Sequence, residues 1–221
     1  MVLFSYPPHA RVGKNLPKSK IYQHARVSAS LRRKIIDQIA RITWAYKLSP
    51  ETVNLPGSPT VPEVEIFVVE LKGNELAADV VRSIDNAIPF LAVYEVVSGN
   101  RTRVVAAYKR PSEADSSKWV TETYFETDWF PNSAERIPLF SSIDLGKLYE
   151  QMLTAMMPIG RRRDEAFPVT VARAGEIRRL EREAEKLNAK LRKEKQFNRQ
   201  VEINAKLRDI KGQIEALSAN K

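Results

Sequence analysis

Glu70 and Lys72 close the apolar run VEIFVVELK, the one constellation in the chain to weigh as catalytic. Two residues apart on a strand, they share one face, while Phe67, Val69 and Leu71 occupy the other. Such a pair can act together on a substrate, or it can simply balance charge at the end of a strand. Few other groups offer chemistry. With no cysteine there is neither a disulfide framework nor a thiolate metal site. Imidazole could come only from His9 and His24, both in an irregular N-terminal stretch, so no metal site is assigned and no zinc or haem is expected. Gly57, Gly73 and Gly99 are isolated, which leaves no glycine-rich phosphate loop. No Ser-His-Asp or Cys-His set can be assembled either.

An apolar strand ending in Glu-x-Lys, then a helix, then another apolar strand, resembles the core of the PD-(D/E)xK nucleases. That resemblance implies that Glu70 would help hold Mg²⁺ and that Lys72 would position or polarise the attacking water. The chain departs from the pattern at the second acid, which the family places upstream. Between Asp37 and Glu70 the acids are Glu51, Glu63 and Glu65, none in a Pro-Asp setting. Glu65 lies five residues from Glu70 and faces the other side. An end-of-strand ion pair is the preferred reading. The metal-dependent nuclease is the alternative, and only under it is Mg²⁺ a cofactor.

The elements around this pair form a small mixed sheet flanked by helices, an α/β or α+β domain. Residues 1–29, with Pro7, Pro8, Gly13 and Pro17, read as an arm. SASLRRKIIDQIARITW reads as one helix, capped by Ser28 or Ser30, with Leu31, Ile35, Ile39 and Ile42 on one face. A proline-rich loop leads to VEIFVVELK. NELAADVVRSIDNAIP follows as an amphipathic helix that turns Leu76, Val80, Ile84 and Ile88 inward. FLAVYEVV and TRVVAAYKR are strands joined at Ser98-Gly99-Asn100. KWVTETYFETDWF alternates like a strand with one wet face. IDLGKLYEQMLTAMM is the last helix of the domain, which spans 30–160. Trp119, Tyr124, Phe125, Trp129 and Phe130 could stack on bases, but the acids among them favour ordinary packing.

Residues 161–221 form a basic helical tail. Ile177, Leu180, Ala184, Leu187 and Leu191 repeat at a three-four spacing, as do Ile203, Leu207, Ile210, Ile214 and Leu217. The two stripes are out of phase, so the polar run 193–200 is either the elbow of a coiled-coil-like helical hairpin, which is the expected form, or a phase slip in one long helix. Each arm holds only about three heptads, marginal for a lone helix. The arms must pack on each other, on a second copy of the chain, or on another protein.

The net charge of +9 is unevenly spread. Residues 1–47 hold ten Lys/Arg against one acid, 48–160 hold nine against sixteen, and 161–221 hold seventeen against ten. The basic ends suit non-specific contact with DNA phosphates, through Arg161, Arg162 and Arg163 in the hinge and through Lys18 and Lys20 in the arm. No run approaches the ~18 apolar residues of a membrane span, and no signal peptide is evident, so the cytoplasm is the expected compartment.

LPKSKIY, ITWAYKLSPETVNLP, EIFVVELK, IDNAIPF and KEKQFNRQVEIN, taken together and in order, resemble a bacterial family catalogued as domain of unknown function 4391. The resemblance covers nearly all of the chain and brings no catalytic residues with it. It implies a setting beside helicases and DNA methyltransferases in restriction-like or phage-defence loci. The expected role is a non-catalytic accessory subunit of such a complex.

Overall fold

The computed structural model describes residues 2–25, 27–113 and 119–219. In chain order its elements are β1 (Phe4–Ser5), β2 (Arg11–Asn15), α1 (Lys18–His24), α2 (Ala29–Gln38), β3 (Ile39–Leu48), α3 (Pro50–Val53) and β4 (Val64–Leu71). Then come α4 (Ala78–Asn86), β5 (Leu91–Ser98), β6 (Arg101–Pro111), β7 (Trp119–Glu126), β8 (Phe130–Pro131) and β9 (Ile137–Pro138). Helices α5 (Leu145–Met156), α6 (Phe167–Leu191) and α7 (Phe197–Ser218) complete it. The chain divides into two compact units, Met1–Met156 and Met157–Lys221. No helix among the described residues is long and apolar enough to cross a membrane.

The first unit is built on a mixed sheet in the order β2-β3-β4-β5-β6-β7, with β8 beside β6. Strands β4 and β5 are parallel, joined across α4, and the other neighbours along that order run antiparallel. One face buries Ile42, Phe67, Val69, Tyr94, Val96 and Val105 in a core with Ile21 of α1, Ile35 of α2, and Val80 and Ile84 of α4. Burial of these residues supplies the main drive for docking the helices. The β5–β6 turn is tight, with Ser98 opposite Arg101 and Gly99 at φ 59°, a conformation that costs glycine little. The α+β class, the strand-helix-strand core and the last helix all match expectation. Lys118, the expected start of the strand at 118–130, lies outside the described residues.

Two expectations fail. The helix expected over 28–44 ends at Gln38, and Ile39 opens β3. Ser28 is its cap, accepting from the Leu31 amide at 3.3 Å. Strand β3 pairs with β4 from Ile39↔Leu71 to Leu48↔Val64, with register shifts between Ile39 and Arg41 and between Trp44 and Tyr46. Each shift inserts a residue, so the buried positions Ile39, Ile42, Ala45 and Leu48 recur every three residues. A bulged strand thus imitates helical spacing. The arm over 1–29 is also more ordered than expected: β1 pairs with β9, β2 extends the sheet beside β3, and α1 packs on the core.

The second unit is a helical hairpin. α6 and α7 pack together, and residues 192–196 make the turn, inside the expected 193–200 elbow but for one residue. The Glu194 carboxylate accepts from the Lys195 and Gln196 amides at 2.9 Å, closing the elbow.

Candidate functional site

The sheet face opposite α1, α2 and α4 carries Val68 and Glu70 of β4 and Glu95 and Val97 of β5. Strand alternation fixes this side, because Val68 lies opposite Glu95 in the parallel pair. The N-terminal arm and the segment around β9 lie over the same face, leaving a cleft of about 570 Å³. Tyr6, Arg11, Arg41, Tyr46, Glu70, Glu95, Thr102, Asn132 and Arg136 line it.

Glu95 is nearly enclosed, with its side chain 6% exposed. Arg136 grips it in a fork, Nη1 to Oε1 at 2.7 Å and Nη2 to Oε2 at 2.9 Å. The same Nη1 donates to the Phe4 carbonyl at 2.7 Å, which fastens the arm. Hydrogen bonding to Glu95 raises the guanidinium pKa of Arg136 further. The buried Tyr6 hydroxyl lies beside Glu95 without a well-formed hydrogen bond, and burial, reinforced by the Glu95 charge, pushes its pKa well up.

Glu70 points into the cleft, but its partner is Arg41 on β3, directly opposite in register. Arg41 Nε and Nη2 donate to Glu70 Oε1 at 2.9 and 2.5 Å. A basic residue therefore stands across from Glu70 on the neighbouring strand. Lys72 falls just beyond β4, and its amide donates to the Gln38 carbonyl at 2.9 Å. The end-of-strand ion pair is present, with Arg41 rather than Lys72 as the cation. The cleft thus carries three guanidinium groups and two carboxylates, both carboxylates engaged. It offers charge-assisted contacts to an anion more readily than ligands to a cation.

The other sequence-predicted residues scatter. Lys18 Nζ donates to the Ile39 carbonyl at 2.5 Å, and burial with the nearby Lys72 charge lowers its pKa. Lys20 and His24 border a separate apolar pocket, and His9 contacts the Thr52 carbonyl. Of the aromatic set, Phe125 is fully buried, Tyr124 binds Asp85, and Trp129 lies under both Arg101 and Arg103 at 4.5 and 4.9 Å.

The hinge arginines act inside the hairpin unit. Arg162 donates to the carbonyls of Ala219, Ala216 and Leu217 at 3.0–3.3 Å, capping the end of α7. Arg161 Nε donates to the Glu165 carbonyl at 2.5 Å, and Arg163 is exposed. Arg173, on the inner stripe of α6, bonds both Glu165 oxygens and the carbonyls of Leu217 and Gly160 at 2.8–2.9 Å. The Arg173 bond, above all, holds the Glu165 carboxyl down to about 2. Protonating Glu165 breaks this hub, so the hairpin unit should be stable above the usual carboxylate range and weaken as pH falls from about 4.5 towards 2. An acid titration followed by helical circular dichroism checks this. A hairpin unit whose stability is flat over that window would contradict it.

Sequence reasoning missed Arg41, Glu95, Arg136, Glu165 and Arg173. The legible signals were Glu95 inside the apolar FLAVYEVV and Arg173 inside an otherwise small and apolar stripe. Along the tail seam, Ile177, Leu180, Ile203, Leu207 and Ile210 are buried, while Leu187, Leu191, Ile214 and Leu217 are half-buried. A family model described as Domain of unknown function (DUF4391) matches residues 4–214. No curated protein and no solved structure matches the chain.

Proposed function

Taking as premise that the chain belongs to the family described as Domain of unknown function (DUF4391), we propose that it is a non-catalytic accessory subunit of a bacterial DNA-processing or phage-defence complex. The observation that carries this reading is the Arg41–Glu70 pair. A PD-(D/E)xK centre needs a second free acid near Glu70; the other acid of the cleft, Glu95, has both oxygens held by Arg136, and the strand opposite Glu70 offers a guanidinium. A guanidinium there neutralises Glu70 and repels a divalent cation.

Docking falls to the α6–α7 hairpin. Its seam is largely consumed by internal packing, and apart from Val169 at the start of α6 the large apolar side chains the hairpin exposes among the described residues are at the tip. Phe197 is 75% exposed and Val201 52%, one turn apart on α7. Lys193, Lys195 and Arg199 surround them in sequence. An exposed aromatic among cations suits an apolar pocket with an acidic rim on a larger protein, a helicase or DNA methyltransferase in this reading. Weak, salt-sensitive DNA contact through the basic ends is compatible with that role. Alanine at Arg161, Arg162 and Arg163 together would confound its test, because Arg162 caps α7.

Two experiments bear on this. Purified protein incubated with supercoiled plasmid and Mg²⁺ or Mn²⁺ should leave it intact, and Glu70→Gln should behave identically. Cleavage by the wild type that Glu70→Gln abolishes would restore the nuclease reading. In a co-purification with a candidate helicase or methyltransferase partner, Phe197→Asp should weaken binding at least about tenfold, as loss of an aromatic hot spot does. Retention of full binding by that variant, with helicity unchanged, would remove the tip from the interface.

A further inference from the structure

A second cavity, of about 370 Å³, opens on the opposite side of the sheet, where α1 and the turn after α4 meet β3 and β4. Its walls are apolar and in part aromatic, with Ile21, Trp44, Phe67, Ile88 and Phe90 among them. Set into this wall is Glu65, only 3% exposed. Its Oε2 and the Trp44 Nε1 are buried beside one another, yet neither makes a hydrogen bond of normal length and angle. Lys20 and His24 also line the cavity. A buried acid and an indole N–H without a well-formed hydrogen bond, set beside aromatic walls, suit a ligand that is flat, apolar in its faces and polar at its edge.

We propose that this pocket binds a nucleobase, its faces against the aromatic side chains, its edge against Glu65, and the attached phosphate at Lys20. Every nucleobase carries a hydrogen-bond donor beside an acceptor on its edge. A neutral carboxyl group carries the matching pair, one O–H and one carbonyl oxygen. Burial above all, with Glu63 beside it, raises the Glu65 pKa to about 8 against the opposite pull of the Trp44 N–H and the Lys47 charge, so the neutral form prevails at pH 7. The terminal torsion of a glutamate is soft, which lets both oxygens turn to the ligand. The charged and titratable groups nearby are Glu63 and Lys47 at the strand end and Lys20 and His24 on α1.

Calorimetry with AMP and adenosine on the full chain tests this. AMP should bind at pH 7 and weaken at least fivefold at pH 9, where the carboxylate loses its donor. Glu65→Gln keeps a donor beside an acceptor at every pH, so it should bind AMP within threefold of wild type at pH 7 and lose the fall at pH 9. Glu65→Leu should lose at least tenfold without melting below wild type. Lys20→Ala should weaken AMP and leave adenosine unchanged. If a single-stranded oligodeoxyadenylate binds more tightly than AMP, the base comes from a nucleic-acid strand; the reverse order assigns the pocket to free nucleotides. No heat from AMP, CMP, GMP or UMP at millimolar concentration, or wild-type affinity in Glu65→Leu, overturns the proposal.

Discussion

Asp85→Ala should cost the first unit about 3–5 kcal/mol, the penalty for stranding a buried charge. Asp85 sits on the inner side of α4 with its side chain fully enclosed. Lys109 Nζ, only 4% exposed, donates to Oδ1 at 2.8 Å. Tyr94 and Tyr124 hydroxyls donate to Oδ1 and Oδ2, each at 2.9 Å. One carboxylate thus ties α4 to β5, β6 and β7. Without it, Lys109 is left buried without its counter-ion, and two phenols lose their acceptor. Burial, the largest cause of the raised Tyr94 pKa and one that remains in the variant, keeps that tyrosine from ionising to rescue the lysine. Urea unfolding measures the loss, and the melting point should drop by about 10 °C. Adding Lys109→Met should recover part of it, because the stranded charge is then gone. A loss below about 1 kcal/mol for Asp85→Ala would show that the cluster is not closed as described.

Ile210→Asp should melt the hairpin unit. Ile210 is 6% exposed on the inner stripe of α7, between Leu207 and the half-buried Ile214. The substitution removes a buried side chain and introduces a carboxylate with no cation on that stripe, a loss of at least about 4 kcal/mol. Leu187→Asp, on the half-buried part of α6, should cost only about 1 kcal/mol. The contrast separates a seam used for internal packing from one held open for a partner. Circular dichroism at 222 nm and limited proteolysis of residues 161–219 read the result. Equal effects of the two substitutions on helicity would place the stripe's energetic centre elsewhere.

The role of the hinge arginines changes in the same way. Three consecutive arginines read as a phosphate clamp, yet two of the three hold main-chain oxygens within their own unit. A helix end exposes carbonyls that must find donors, and a nearby arginine meets that demand before any external ligand arrives.

Local pattern carried much of this protein's architecture. The heptad stripes and their phase break are one-dimensional facts, and they suffice to place two helices and the elbow between them. The strand VEIFVVELK, the helix with Val80 and Ile84 inward, and the turn at Gly99 follow likewise from periodicity and backbone preference. Glu70 could be assigned to a strand face for the same reason.

Pairing partners were beyond reach of that reading. Whether Glu70 faces an acid or an arginine depends on the register of β3 against β4, and two bulges in β3 disguised that strand as helix. Glu95 with Arg136, Asp85 with Lys109, and Glu165 with Arg173 join residues 41, 24 and 8 positions apart. Each charge looks ordinary alone, because the free energy of a buried ion pair belongs to the geometry of both members. Sequence determined which segments are strands and helices wherever the repeat was regular. Tertiary structure alone decided which charges meet, because charge pairing falls steeply with distance, and only the folded chain brings those side chains within 3 Å.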